Sequence, residues 1–142
     1  MTLTEHTKID CGLHEMASLE GITLQVTGQC MEPVLHDQDR VQVRRQRKYR
    51  VGDILAVRLA NGQLVCHRLL GKYFWGGNMH FLTCPDNCRQ PDGAVIITKI
   101  IGKIVTVNGK KLLPKITLSL RLQLFLSFLY YLCRRFFAKI GI

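Results

Sequence analysis

Acidic side chains are scarce in this sequence: 10 Asp and Glu stand against 20 Lys and Arg, for a net charge of +10. That surplus calls for an anionic partner, and charge alone does not choose among nucleic acid, an anionic membrane face and an acidic protein. An apolar N-terminal run is also absent. Glu5, His6 and Asp10 stand where a secretory signal would need one, so export by an N-terminal signal is not expected. The six cysteines, at 11, 30, 66, 84, 88 and 133, lack the dense, even spacing of a disulfide scaffold. A chain of 142 residues can bury most of its apolar surface without staples. The thiols are therefore read as mainly free, in a reducing compartment. A Cys84–Cys88 bridge, or a longer-range one, is the alternative. No stretch has low complexity and no segment repeats.

What remains is ordinary for a globular chain with a core. Hydrophobic residues make up 47% and charged residues 21%, and the length fits one domain plus a tail. Residues 1–20 are polar and mixed, with one short helix expected around His14 to Leu19. A strand is expected from Ile22 to Val26, a turn or loop from Gly28 to Pro33, and a short strand from Arg40 to Val43. Arg44 to Arg50 reads as a basic loop. Asp53 to Leu59 and Gln63 to Leu70 read as two strands joined at Asn61-Gly62, since both residues tolerate positive φ. Gly71 to Gly77 reads as a connection, Met79 to Thr83 as a strand, and Cys84 to Gly93 as a loop rich in turn formers. The β-branched runs Ala94 to Ile97 and Ile100 to Val107 follow, closed by a turn at Asn108-Gly109.

The tail changes character. Ile116 to Cys133 is mostly leucine, phenylalanine and tyrosine, and as a helix would extend roughly 27 Å, about the depth of a hydrocarbon core. Lys110, Lys111 and Lys115 precede it, and Arg134, Arg135 and Lys139 follow. Ser119, Gln123, Ser127 and Tyr131 recur every four residues as a narrow polar stripe, and Arg121 lies off that stripe. An interfacial helix, or one docked on the body or a partner, suits this pattern better than a simple span. Three segments result: 1–20, a polar N-terminal piece; 21–109, the domain; and 110–142, the basic-flanked hydrophobic tail.

Chemistry concentrates at Cys30, in a loop after a strand with Gly28 and Pro33 as turn formers. A thiol there needs a base or a cation nearby to become a thiolate near neutral pH. His67, on a separate strand beside Arg68, is the candidate base. Either Asp92 or Asp86 can hold the imidazole in the required tautomer.

Several boxes stand in an order that resembles the signal-peptidase/LexA-repressor clan. Gly28, Met31, Pro33 and Leu35 match that clan's Gly-x-Ser-Met-x-Pro-x-Leu box, with Cys30 in the place of the nucleophilic serine. Gly52-Asp53-Ile54-Leu55 matches its Gly-Asp-apolar-apolar box. His67-Arg68 matches the apolar-His-Arg box of the endoplasmic-reticulum-type signal peptidases, where bacterial signal peptidases and the repressors carry lysine. Asp86-Asn87 with Asp92 matches the later Gly-Asp-Asn box, although Cys84-Pro85 replaces the usual Lys-Gly before it. Ile101-Gly102-Lys103-Ile104 matches the closing segment. The resemblance covers about Ile22 to Val107.

It implies a mainly β, signal-peptidase/LexA-like fold of short strands, followed here by a C-terminal hydrophobic helix. It also implies a peptidase cleaving a leader or signal peptide by acyl transfer. In that reaction Cys30 attacks, His67 manages the proton, Asp92 orients His67, and the segment Gly28, Gln29, Met31 and Pro33 binds substrate and oxyanion. Two other functions stay open: an inactive relative that grips an extended peptide along a strand edge, and a repressor-like self-cleaving regulator. Only about twenty residues precede the first strand, too few for a DNA-reading module, so no nucleic-acid partner is expected. The expected partner is a protein or peptide bearing a leader or signal sequence.

Simpler roles attach to the remaining residues. Cys66 is expected on the opposite strand face from His67, simply buried. Cys84 and Cys88 with His80 lack a second ligand pair, so neither a metal nor any other cofactor is expected. His36 reads as a surface loop residue. The basic run Arg40, Arg44, Arg45, Arg47, Lys48 and Arg50 reads as a solvated face, or one that with the tail lies on anionic lipid. Phe74 and Trp75, between glycines, either cap the core or touch membrane or substrate. The expected location is membrane-associated or cytoplasmic.

Overall fold

A computed structural model describes residues 3–88, 90–112 and 116–141. Lys115, one of the basic residues expected to flank the tail, lies outside the described residues. The elements run α1 (Leu3–Leu19), β1 (Ile22–Gln25), β2 (Arg40–Arg44), β3 (Ile54–Arg58), β4 (Leu64–Trp75), β5 (Asn78–Cys84), β6 (Val95–Ile96), a short 3-10 turn (Ile97–Lys99), β7 (Ile100–Val107), β8 (Lys110–Lys111) and α2 (Leu118–Ile140). The chain is thus mainly β with a C-terminal helix. The strands form one antiparallel sheet in the order β1-β2-β7-β3-β4-β5-β6, with β8 beside β7.

Strand β3 sits mid-sheet, and its run Ile54 to Val57 is buried on both faces. Alternation then splits the core. Ile54 and Ala56 join Met31, Leu35, Val41, Val43, Ile101 and Ile104, while Leu55 and Val57 join Tyr49, Leu69, Phe81 and Ile100. A third cluster is built where Leu124 and Phe128 of α2 meet Leu70, Leu82 and Cys84.

Three elements differ from the sequence expectation. Helix α1 has 17 residues, far more than the short helix around His14 to Leu19. Asp10 is buried on it and accepts from Arg58 Nε and Nη2 of β3 at 3.0 and 2.8 Å, which fixes the early turns to the body. Strand β4 continues through Gly71 to Trp75 instead of becoming a connection, paired with β5 across a bulge at Leu69/Gly71. The turn falls later, at Gly76-Gly77, both with positive φ. Helix α2 extends to Ile140, with the Thr117 hydroxyl accepting from Leu120 N at its start and Gly141 left-handed at its end. The hairpin at Asn61-Gly62 forms, but only Gly62 takes positive φ; the Asn61 side chain instead accepts from Gln63 N.

Candidate active site

The loop that carries Cys30 is anchored from beneath. Met31 and Leu35 are sunk in the core, and Val34 N and Leu35 N both donate to Met31 O at 3.0 Å, so the segment turns tightly. Gly28, at φ +90°, donates its N–H to Asp37 at 2.8 Å. That N–H is therefore already used. The Cys30 N–H faces its own sulfur, and the Met31 N–H has no acceptor among the described residues. Gln29 and Pro33 are exposed on the loop, and Cys30 is half-buried.

A second loop braces the first. Asn87 N donates to Cys30 O at 3.2 Å, and the Asn87 side-chain amide donates to Gln29 O. Asp86, next to it, accepts a two-pronged pair from Arg68: Nε at 2.7 Å and Nη2 at 2.6 Å. The third guanidinium arm, Nη1, donates to Gly52 O at 2.9 Å. The buried Arg68 thus pins the brace loop to β4 and to the Gly52 turn. Asp86, one of two carboxylates proposed for the imidazole, is committed to Arg68 instead.

Asp92 is the carboxylate that meets His67. Its Oδ2 lies 2.6 Å from His67 Nδ1 and accepts from Thr83 Oγ1 at 2.7 Å. Its backbone N–H donates to Thr83 O at 2.8 Å, so Asp92 is clamped to β5 at two points. His67 is buried, and its Nε2 makes no hydrogen bond among the described residues. A neutral ring that donates Nδ1–H to Asp92 leaves Nε2 as the proton acceptor.

Cys30 opens on a groove of about 310 Å³. Leu24 to Thr27 form one wall, Gln63 to Cys66 the other, and Met31 lies beside Cys30. Both walls are free strand edges. Among the described residues β1 pairs with β2 alone, and β4 pairs with β5 only from Arg68 onward. Cys66 packs with Cys30 on the Ala56 side of the sheet, while His67 pairs with Leu55 of the other cluster, so Cys66 stands on the opposite strand face from His67 as expected, and it also lines the groove.

Burial pushes the Cys30 thiol above its ordinary value, and the Asp92 and Asp86 carboxylates add to that, against the pull of its own N–H. The charge of both loop carboxylates therefore reaches the sulfur. Cys30 Sγ makes no hydrogen bond to His67 among the described residues. Burial drives Cys66 to about 12, with Cys30 contributing, and Cys84 to about 12, with Asp92, Cys88 and Asp86 contributing. All six cysteines are free, and Cys84 Sγ donates to Cys88 O. His80 instead stacks on Tyr73. Among the described residues no three His, Cys, Asp or Glu side chains gather as a metal site.

The remaining motif boxes are scaffold. Asp53 is buried, accepts from Arg50 N, and meets Lys103 Nζ at 2.8 Å, so the Gly52-Asp53 turn and the Ile101-Gly102-Lys103 strand are bolted together. Arg68, Thr83 and Asn87 are the site neighbours that residue types alone did not single out. Arg68 and Asn87 stood inside the matched boxes, while nothing local marks Thr83.

The chain matches the Peptidase S24-like family over residues 4–105, which includes α1, the groove, Cys30, His67 and Asp92. No curated protein matches it.

Proposed function

The chain belongs to the Peptidase S24-like family, a member of the clan its motif boxes resemble, and from that membership we propose that it hydrolyses a peptide bond in a leader or signal segment. The observation that carries this reading is the 2.6 Å contact between His67 Nδ1 and Asp92, which leaves Nε2 to receive a proton. The substrate lies extended between the free edges of β1 and β4, adding its backbone to the sheet, with apolar side chains against Leu24, Val26 and Leu64.

Cys30 Sγ forms a bond to the substrate carbonyl carbon while its proton passes to His67 Nε2. Asp92 stabilises the imidazolium that results. The N–H groups of Cys30 and Met31 are the oxyanion donors, since Gly28 N–H is held by Asp37. The proton then moves from His67 to the leaving amine as the C–N bond breaks. Water gives a proton to His67 Nε2 and attacks the thioester carbonyl, the C–S bond breaks, and the sulfur regains its proton. The raised thiol fits this order of events: sulfur starts protonated and loses its proton during attack, not before it.

The same raised thiol favours a second reading, in which the groove grips an extended peptide without cutting it. Incubation of the reduced full chain with a defined peptide mixture, read by mass spectrometry, separates the two. Hydrolysis predicts cuts that vanish in Cys30→Ala and persist in Cys30→Ser. Peptides retained equally by wild type and Cys30→Ala, with no cuts, decide for binding alone.

A further inference from the structure

We infer that the outer face of α2 is a docking surface for an anionic lipid bilayer. Leu124 and Phe128 fix the inner face, and Gly71 of β4 lets Phe128 approach so closely that a Cβ there would fall 2.6 Å from its ring. A different side of the helix carries Leu118, Leu122, Phe125, Leu126, Leu129 and Phe136, all exposed. At helical spacing these six fall within an arc of roughly 100°, a continuous apolar stripe. None of them contributes to the core clusters of the body.

Charge selects the occupant. The 23 residues of α2 contain no Asp or Glu. The exposed cations Arg121 and Lys139 flank one border of the stripe, and Arg134 is exposed about 80° beyond the other. A second copy docked on this stripe would face cations with cations and meet no carboxylate on the partner helix. A bilayer with anionic headgroups answers both the apolar stripe and its flanking cations. No helix among the described residues is long and apolar enough to cross a membrane, so α2 lies along the surface. The turn between β4 and β5 extends the patch: Trp75 meets Phe136 edge-on at 6.4 Å, and Lys139 Nζ sits 4.2 Å over the Trp75 ring. An amphipathic aromatic beside a cation suits the headgroup level. This surface lies mainly beyond residues 4–105, outside the part that matches the family.

Trp75 is the only tryptophan, so its fluorescence reports on this patch alone. The full chain is titrated with vesicles of phosphatidylcholine, and with vesicles of equal parts phosphatidylcholine and phosphatidylglycerol, and co-sedimentation is measured in parallel. The expected result is a blue shift and sedimentation with the anionic vesicles, weakened by salt. Arg121→Gln and Arg134→Gln each weaken binding on the order of fivefold. The double substitution Leu122→Ser with Leu126→Ser abolishes binding while the circular dichroism spectrum stays unchanged. Absence of binding to either vesicle overturns the inference, as does equal binding to both. A concentration-dependent dimer that the double substitution turns into a monomer also overturns it, assigning the stripe to a second copy.

Discussion

Within the body, four carboxylates each meet a cation or an imidazole at 2.6–2.8 Å: Asp10 with Arg58, Asp53 with Lys103, Asp86 with Arg68 and Asp92 with His67. Along α2 there is no carboxylate at all, and the helix attaches through Leu124, Phe128, a bond from Arg135 Nη1 to Tyr73 Oη, and the contacts of Phe136 and Lys139 with Trp75. The two regions are held by different physics. Paired charges are directional and set side chains to fractions of an ångström, as a reacting site requires. Apolar contact is non-directional and tolerates sliding, as a helix that rests on a soft surface requires.

Substitutions sharpen that contrast. The largest effect is expected at Cys30: Cys30→Ala should lower peptide cleavage at least about 10³-fold, measured by initial rates, with thermal stability almost unchanged because the side chain is half-buried. His67→Ala should lower the rate about 10²- to 10⁴-fold. Next comes Asp86→Ala, which strands the buried Arg68 guanidinium and should cost about 3 kcal/mol in denaturant unfolding. It also releases the brace under Cys30, so stability and cleavage should fall together. On α2 the two readouts should separate. Phe128→Ala removes a buried ring worth about 3 kcal/mol of local docking, which should raise amide exchange in α2 before it affects β3 or β7.

The smallest effect concerns His14. Burial holds His14 below its ordinary value of 6.5, with the Arg45 charge adding. The unfolded chain therefore takes up that proton more readily than the folded one. Stability should be fully present above pH 6.5 and should be lost as the pH falls below it. His14→Gln should flatten that decline in unfolding curves recorded across the range.

How much could be read from sequence follows the same division. The strands with short-range signals, Ile54 to Val57 between turn formers and the β-branched run Ile100 to Val107, lie where turn residues and β-branched content placed them. The continuation of β4 past Gly71 was hidden because glycine and aromatics there mimic a loop; its cause is pairing with β5 and the seat that Gly71 makes for Phe128. The length of α1 was hidden because its anchor, Arg58, is 48 residues from Asp10. At the site, residue types pointed to Cys30, His67 and two carboxylates without dividing the carboxylates, and the motif resemblance implied Asp92 for His67. The fold shows Asp92 against His67 and commits Asp86 to Arg68, which no local signal marked. Alternation placed Cys66 opposite His67, but only the fold shows that this face is the one Cys30 shares.

The central claim is that Cys30 is the nucleophile and that its proton goes to His67 during attack. The most direct measurement reacts wild type and His67→Ala with p-nitrophenyl acetate at neutral pH and maps the acetyl group by mass spectrometry over time. The account predicts that Cys30 is acylated ahead of the exposed Cys11, Cys88 and Cys133, that the acyl group then turns over, and that both steps slow about 10²-fold or more in His67→Ala. Acylation spread over the exposed thiols at equal rates in both proteins would contradict it.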